Sequence, residues 1–190
     1  TLSLHDALPI SSISKKLENK NIKIIDIDLI KELWKDRYDL PSEDAFLLDV
    51  KYAGKSAQEK ISEIREKLKE KNIGMTVLSS LVDIAWTLNI RGMDIKDTPV
   101  LISFMIIESD KVILFTDREK TKNIEREIAD FVELRDYSEF YDYIKSYKDK
   151  KIYLDPNSIN EKIYKGICEK NEIIFGNNIS ENLKAIKNDV

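Results

Sequence analysis

From Asn21 onward, short apolar runs alternate with longer amphipathic ones, and this alternation constrains the architecture more than any single motif. The clearest unit is KSAQEKISEIREKLKEKNIGMTVLSS, residues 55–80. Ser56 with Glu59 three residues later is a capping box, in which each side chain satisfies an orphan amide at a helix start. Ile61, Ile64 and Leu68 then mark one apolar face, Glu63 and Lys67 form a favourable i,i+4 pair, and Asn72-Ile73-Gly74 supplies the stop. MTVLSS follows as a strand. Strand, helix and strand in that order, with later repeats, indicate an α/β layer domain.

The same reading extends along the chain. NIKIIDID is a short buried strand and DLIKELWKDR a helix, with Leu29, Ile30, Leu33 and Trp34 at helical spacing. YDLPSED, with Pro41 and several turn formers, is the expected linker, and AFLLDVKYAGKS crosses it in extended form. LVDIAWTL places Leu81, Ile84, Ala85 and Leu88 on one face before a stop at Asn89 to Gly92. TPVLISFMIIES and KVILFTD form a hairpin about a polar turn near Asp110. NIEREIADF is helical and VELRDY a weak strand. DYSEFYDYIKSY is a helix opened by Asp136 with Glu139, KKIYLD a strand, PNSINEKIYKGICEK a helix with Pro156 early, EIIFG a strand, and SENLKAIKNDV a last helix.

The only histidine is His5, within TLSLHDALPI. Those ten residues equal one reading frame of the adapter oligonucleotide used in short-read DNA sequencing, and have neither a helical nor a strand period. Residues 1–10 are therefore read as non-native and left out of the fold, with few packed contacts expected for them. Without His5, catalytic triads, HExxH zinc sites and Cys/His pairs are excluded. The chain also lacks GxGxxG, GxxxxGK[ST] and CxxC.

Composition narrows the classes further. A chain with 42% hydrophobic residues can build a core, and a single cysteine, Cys168, cannot form an internal disulfide, which fits a cytoplasmic location. No apolar run reaches the ~20 residues of a membrane span. A formal charge of −4 and a pI near 5.3 disfavour nucleic-acid binding by phosphate neutralisation.

Few residues are left to carry chemistry. Asp26 and Asp28 share one face of a strand, as a magnesium-dependent nuclease or phosphatase requires, but a solvent-facing pair at a strand end is the plainer reading. Asp83 is read as a helix-surface carboxylate, and Asp94 and Asp97 as turn residues. Tyr137, Phe140, Tyr141, Tyr143, Ile144 and Tyr147 before KDKK offer a base-stacking platform, or a stripe packed on the sheet, which the helical spacing favours. Cys168 is a small core or boundary residue. Asn89, Arg91 and Asp94 crowd a helix end with more polar groups than a stop needs. Arg91 has two readings there: a bidentate contact with a carboxylate or a neighbouring domain, and a surface salt bridge.

LIKELWKDRYDLP, KYAGKSAQEKISEIREKL, LSSLVDIAWTLNIRGMDIKDTPVLISFMII and ENLKAIKNDV together resemble the large, three-domain Xaa-Pro aminopeptidases, also called aminopeptidase P. The blocks Tyr52 to Ser56, Asp83 to Trp86 and Leu88 to Gly92 carry the resemblance. Tyr38 departs from it, since the family usually has proline there. The resemblance implies an α/β creatinase/prolidase N-terminal domain with a ribonuclease H-like motif, its mixed sheet flanked by helices, at 46–182. It also implies the tail of a first such domain at 11–41 and, at 183–190, the start of a linker into a pita-bread catalytic domain.

That catalytic domain would hold two divalent metal ions, manganese by the family pattern, and release an N-terminal residue that precedes proline from peptides. The residues here would then form a non-catalytic part that shapes the active-site cleft and supports a homodimer, with no metal, nucleic acid or membrane of its own. Asn89, Arg91, Gly92 and Asp94 are the residues expected to face the cleft or another domain. The alternative is a stand-alone binding module of creatinase-N type without enzymatic activity.

Overall fold

The computed structural model describes residues 41–185 continuously, together with Leu17, Lys20, Ile22, Leu33 and Trp34. His5, Asp26, Asp28 and the strand expected at NIKIIDID lie outside the described residues.

The first half runs β1 (Phe46–Leu47), α1 (Val50–Ala53), α2 (Ala57–Glu70), β2 (Met75–Leu78), α3 (Leu81–Leu88), β3 (Ile90–Arg91), β4 (Ser103–Glu108) and β5 (Val112–Thr116). The second runs α4 (Glu125–Ile128), β6 (Glu133–Asp136), α5 (Phe140–Ile144), β7 (Lys151–Leu154), α6 (Glu161–Cys168), β8 (Glu172–Phe175) and α7 (Ile179–Lys184). Six strands form one mixed sheet in the order β6-β5-β4-β2-β7-β8. β4 is antiparallel to both β2 and β5, whereas β5/β6, β2/β7 and β7/β8 are parallel. β1 and β3 make a separate antiparallel ribbon, Phe46 opposite Arg91 and Leu47 opposite Ile90.

Helices cover both faces because the central strands are apolar on both sides. Along β4, Met105 and Ile107 join Ile61, Ile64 and Leu68 of α2, Ile84 and Leu88 of α3 and Ile179 of α7 in one buried cluster. Phe104 and Ile106, one residue out of phase, point the other way and meet Phe140 and Ile144 of α5 and Ile163 and Ile167 of α6. This second layer settles the aromatic stripe: the rings of Phe104 and Phe140 stack at 4.0 Å, and Phe115 meets Phe140 edge-on at 5.2 Å. The stripe packs on the sheet and offers no open stacking platform.

Local signals hold where both partners are close in sequence. Ser56 Oγ accepts from the Glu59 amide at 3.2 Å and Glu59 Oε2 accepts from the Ser56 amide at 2.7 Å, a complete capping box. Asp136 and Glu139 form a second, although it opens a 3-10 turn, Tyr137–Glu139, before the α-helical residues begin.

Three segments depart from expectation. Residues 50–53, expected extended, form a helical turn because Asp49 Oδ1 accepts from the Lys51 amide at 2.9 Å. The helix expected from Pro156 starts at Glu161, where Asn160 Oδ1 takes the Ile163 amide at 2.9 Å. α7 continues past 182 as part of the domain, with Leu183 packed on the first cluster. Cys168 lies at the boundary between core and surface, as expected.

Candidate functional site

α3 is the element around which the polar chemistry of the domain collects. Asn89 stops it in the left-handed conformation, φ 55° and ψ 21°, a turn that asparagine tolerates better than most residues with a Cβ. The last carbonyls of the helix are then covered by two cations. Lys60, from α2, donates through Nζ to the Trp86 carbonyl at 2.9 Å and to Asn89 Oδ1 at 2.6 Å, and lies 4.6 Å from the centre of the Trp86 ring. Arg91 donates through Nη1 to the Ala85 carbonyl at 2.6 Å and the Ile90 carbonyl at 3.0 Å. Asn89 Nδ2 completes the lock by donating to the Lys55 carbonyl at 2.9 Å. Positive charge at a helix C-terminus complements its dipole, which offsets part of the cost of burial.

Lys60 is 2% exposed and pairs with no carboxylate among the described residues. The nearest, Glu63, is taken by Lys55. Burial, and secondarily Arg91, depress the Lys60 ammonium to about 8. The unfolded chain therefore binds more protons than the fold between about pH 8 and the ordinary lysine value of 10.5. Stability is penalised in full below about pH 8 and recovers as pH rises towards 10.5, by at most about 3 kcal/mol. Urea midpoints compared at pH 7.5 and 10 should show this alkaline gain in the wild type and lose it in Lys60→Met, other groups titrating equally in both.

Two buried carboxylates complete the site. Asp94 sits near the start of the loop between β3 and β4, where Oδ1 pairs with Lys120 Nζ at 2.8 Å and Oδ2 accepts from the Ile102 amide at 2.6 Å. Both side chains are nearly inaccessible, 3% for Lys120 and 0% for Asp94. At the other end of α3, Asp83 accepts from Asn178 Nδ2 through one oxygen and pairs with Lys184 through the other. Asp83 is therefore buried, and its reading as a helix-surface carboxylate is corrected. Asp97 is the exposed turn residue expected, with φ 62°.

Of the four residues expected to face a cleft or another domain, three are spent inside this one. Asn89 and Asp94 are buried with their hydrogen bonds satisfied internally. Gly92 lies so close to the next segment that an added Cβ would stand 3.0 Å from the Val100 carbonyl oxygen and 3.3 Å from Leu101 Cα. Gly92→Ala should cost about 1–3 kcal/mol in urea unfolding, since backbone on both sides must move. Only Arg91 reaches solvent, half-buried, with Nε and Nη2 unpartnered among the described residues.

Sequence reasoning missed Lys60, Lys120 and the burial of Asp83. One signal was available: Lys60 falls between Ala57 and Ile64 on the apolar stripe of α2. Among the described residues, no three His, Cys, Asp or Glu side chains converge as a metal site. The side chains of this domain therefore do not fit a two-metal centre.

A mixed sheet covered by helices on both faces is shared by many folds, and comparison with known proteins separates them. Residues 36–190 match the sequence profile of the creatinase/prolidase N-terminal domain. The chain belongs to that family. Xaa-Pro aminopeptidase 1 of Dictyostelium discoideum is 36% identical over 140 residues, covering 70% of this chain and 22% of the relative. Aminopeptidase P2 of Arabidopsis thaliana is 30% identical over 163 residues, covering 82% and 23%. Among solved structures, X-prolyl aminopeptidase of Caenorhabditis elegans, described as a cytosolic enzyme with a di-nuclear active site, superposes with a TM-score of 0.86 at 29% identity. That match covers 96% of this chain and 32% of the enzyme. The N-terminal domain of PepQ from Mycobacterium tuberculosis, 11% identical with a TM-score of 0.50, shares the fold. The chain thus spans about a fifth to a third of the length of these three aminopeptidases.

Proposed function

We propose that the chain is the non-catalytic N-terminal part of a cytoplasmic Xaa-Pro aminopeptidase, a metallopeptidase that releases an N-terminal residue preceding proline. The observation that carries this reading is the superposition on the nematode enzyme, which takes in 96% of the chain but only 32% of a protein with a di-nuclear centre. The catalytic metals, manganese by the family pattern, belong on this reading to a pita-bread domain following residue 190. Residues 46–182 with the rest of α7 then wall the active-site cleft, restrict substrates to short peptides and support a homodimer. Residues 11–41 are the tail of a preceding domain of the same kind.

On this reading Arg91 acts outside the domain, while Asn89, Gly92 and Asp94 serve within it. The reading is tested with two proteins. The purified 190-residue chain should cleave no Xaa-Pro peptide with any added divalent metal, and the product of the extended reading frame should do so with manganese. Turnover by the short chain would refute the assignment. A stop codon directly after Val190 would favour a stand-alone binding module.

A further inference from the structure

We propose that a cavity between the C-terminal part of α2 and the β4–β5 turn is a binding site for a small organic anion, a carboxylate or phosphate carried on an apolar body. The cavity encloses about 650 Å³ and shares no residue with the polar cluster at the end of α3. That volume lies within the range of small-molecule sites, roughly 300–1,000 Å³.

The lining follows from how α2 runs and stops. Ser62, Arg65, Glu66 and Lys69 stand at i, i+3, i+4 and i+7, so one side of the helix carries all four, next to the stripe of Ile61, Ile64 and Leu68 that packs on the sheet. Asn72, left-handed with φ 55°, turns the chain back towards β2, which brings Ile73 and Gly74 into the lining. Leu68 and Ile73 are buried in the first core cluster and give the cavity an apolar floor. Ser109 adds a hydroxyl from the hairpin turn. Gly74 leaves room: a Cβ added there would meet no atom within 4 Å, and its φ lies outside the left-handed region.

Room alone would hold only water, and the charges select the ligand. Arg65 donates through Nε to the Glu108 carbonyl at 2.7 Å, which pins the guanidinium between helix and hairpin. Its Nη1 and Nη2 groups have no hydrogen-bond or ion-pair partner among the described residues and are not sealed from solvent. Lys69 pairs with no described carboxylate either, whereas its neighbour Lys67 is taken by Glu70. Glu66 is the one carboxylate of the described lining, so cations outnumber it. Asp110 lies near enough to Arg65 to favour its charge but forms no ion pair with it.

Open carbonyls at a helix C-terminus would repel an anion. Here they are occupied: the Leu68 carbonyl accepts from the Lys71 and Ile73 amides, both at 3.0 Å, and the Lys69 carbonyl from the Asn72 amide at 2.9 Å. A pinned guanidinium with free N–H groups beside an unpaired ammonium suits the oxygens of a carboxylate or phosphate. The apolar floor then favours a ligand with a hydrocarbon part over a bare ion.

NMR titration of the isotope-labelled 190-residue chain with phenyl phosphate and with benzoate tests the assignment. Inorganic phosphate supplies the charge without the apolar body, and phenol the body without the charge. At least one aromatic anion should saturate the amide shifts of residues 62–74 and Ser109 with a dissociation constant at or below about 1 mM, about tenfold tighter than inorganic phosphate or phenol. The tighter of the two anions identifies the head group. Gly74→Leu, which fills the cavity, should abolish these shifts and leave the melting temperature within about two degrees of wild type. Arg65→Gln combined with Lys69→Gln should weaken binding at least about tenfold. Lys122→Gln, at an exposed lysine outside the lining, should leave it unchanged.

Failure of both aromatic anions to saturate by about 10 mM overturns the proposal. So do shifts that persist undiminished in a folded Gly74→Leu chain, or that follow exposed lysines over the whole surface, since either would mean attraction by charge without a site. Phenol binding as tightly as the anions would leave an apolar groove and remove the anion site.

Discussion

Replacing Lys120 with methionine is expected to lower the free energy of unfolding by about 3–5 kcal/mol, read from urea denaturation of the 190-residue chain. The pair it forms with Asp94 is almost wholly inaccessible, so removing one partner strands the other charge away from water. Asp94 would keep only the Ile102 amide, 2.6 Å from Oδ2, too little for a buried carboxylate. Asp94→Asn should also be costly, because one amide oxygen cannot accept from both Lys120 and the Ile102 amide and the buried ammonium loses its counter-charge. The double variant Lys120→Met with Asp94→Asn should recover part of the loss, and a double-mutant cycle would show strong coupling. If Lys120→Met unfolded within 1 kcal/mol of wild type, the pair would not be buried in solution as the geometry requires.

That pair also shows which parts of the fold were legible in the sequence. Helix starts at Ser56 and Asp136 were readable because capping is local, with both groups within three residues. The β4–β5 hairpin was readable because two apolar runs flank a short polar turn, whereas a mixed sheet flanked by helices came from the resemblance. The turn at 50–53 and the late start of α6 were missed for a local reason too: Asp49 and Asn160 are cap residues whose competing signals, an apolar run and Pro156, were weighted more heavily.

The buried polar groups were barely legible, the place of Lys60 on the apolar stripe of α2 being the one local sign. Lys60 meets Asn89 across 29 residues, Lys120 meets Asp94 across 26, and Asp83 meets Lys184 across 101. For Lys120 and Asp83 nothing in the linear pattern distinguishes them from solvated residues. The blocks that identify the family, Asp83 to Trp86 and Leu88 to Gly92, are the residues that make these long-range contacts or lie between them. Arg91, Asn89 and Asp94 stood out because they crowd a helix end with more polar groups than a stop needs, and the geometry shows that Asn89 and Asp94 are spent internally.

Asp83→Ala should release α7 from the domain, which makes it the second variant with a large effect. One carboxylate holds both ends of that helix: Asn178, which caps its start by accepting from the Ser180 amide at 3.0 Å, donates to Asp83, and Lys184, its last residue, pairs with the same group. A helix of six residues has too few internal hydrogen bonds to persist alone, so its order depends on that anchor and on the contacts of Ile179 and Leu183. Loss of the carboxylate leaves the Asn178 amide without its acceptor in a buried site, at about 1–3 kcal/mol. Lys184 is 25% accessible and can turn to water, which limits its share of the cost. Hydrogen exchange should accelerate at least tenfold in residues 179–184 while α2 and β4 keep wild-type protection, because the sheet core does not depend on α7. Uniform acceleration across the domain would mean that α7 and the sheet unfold as one unit.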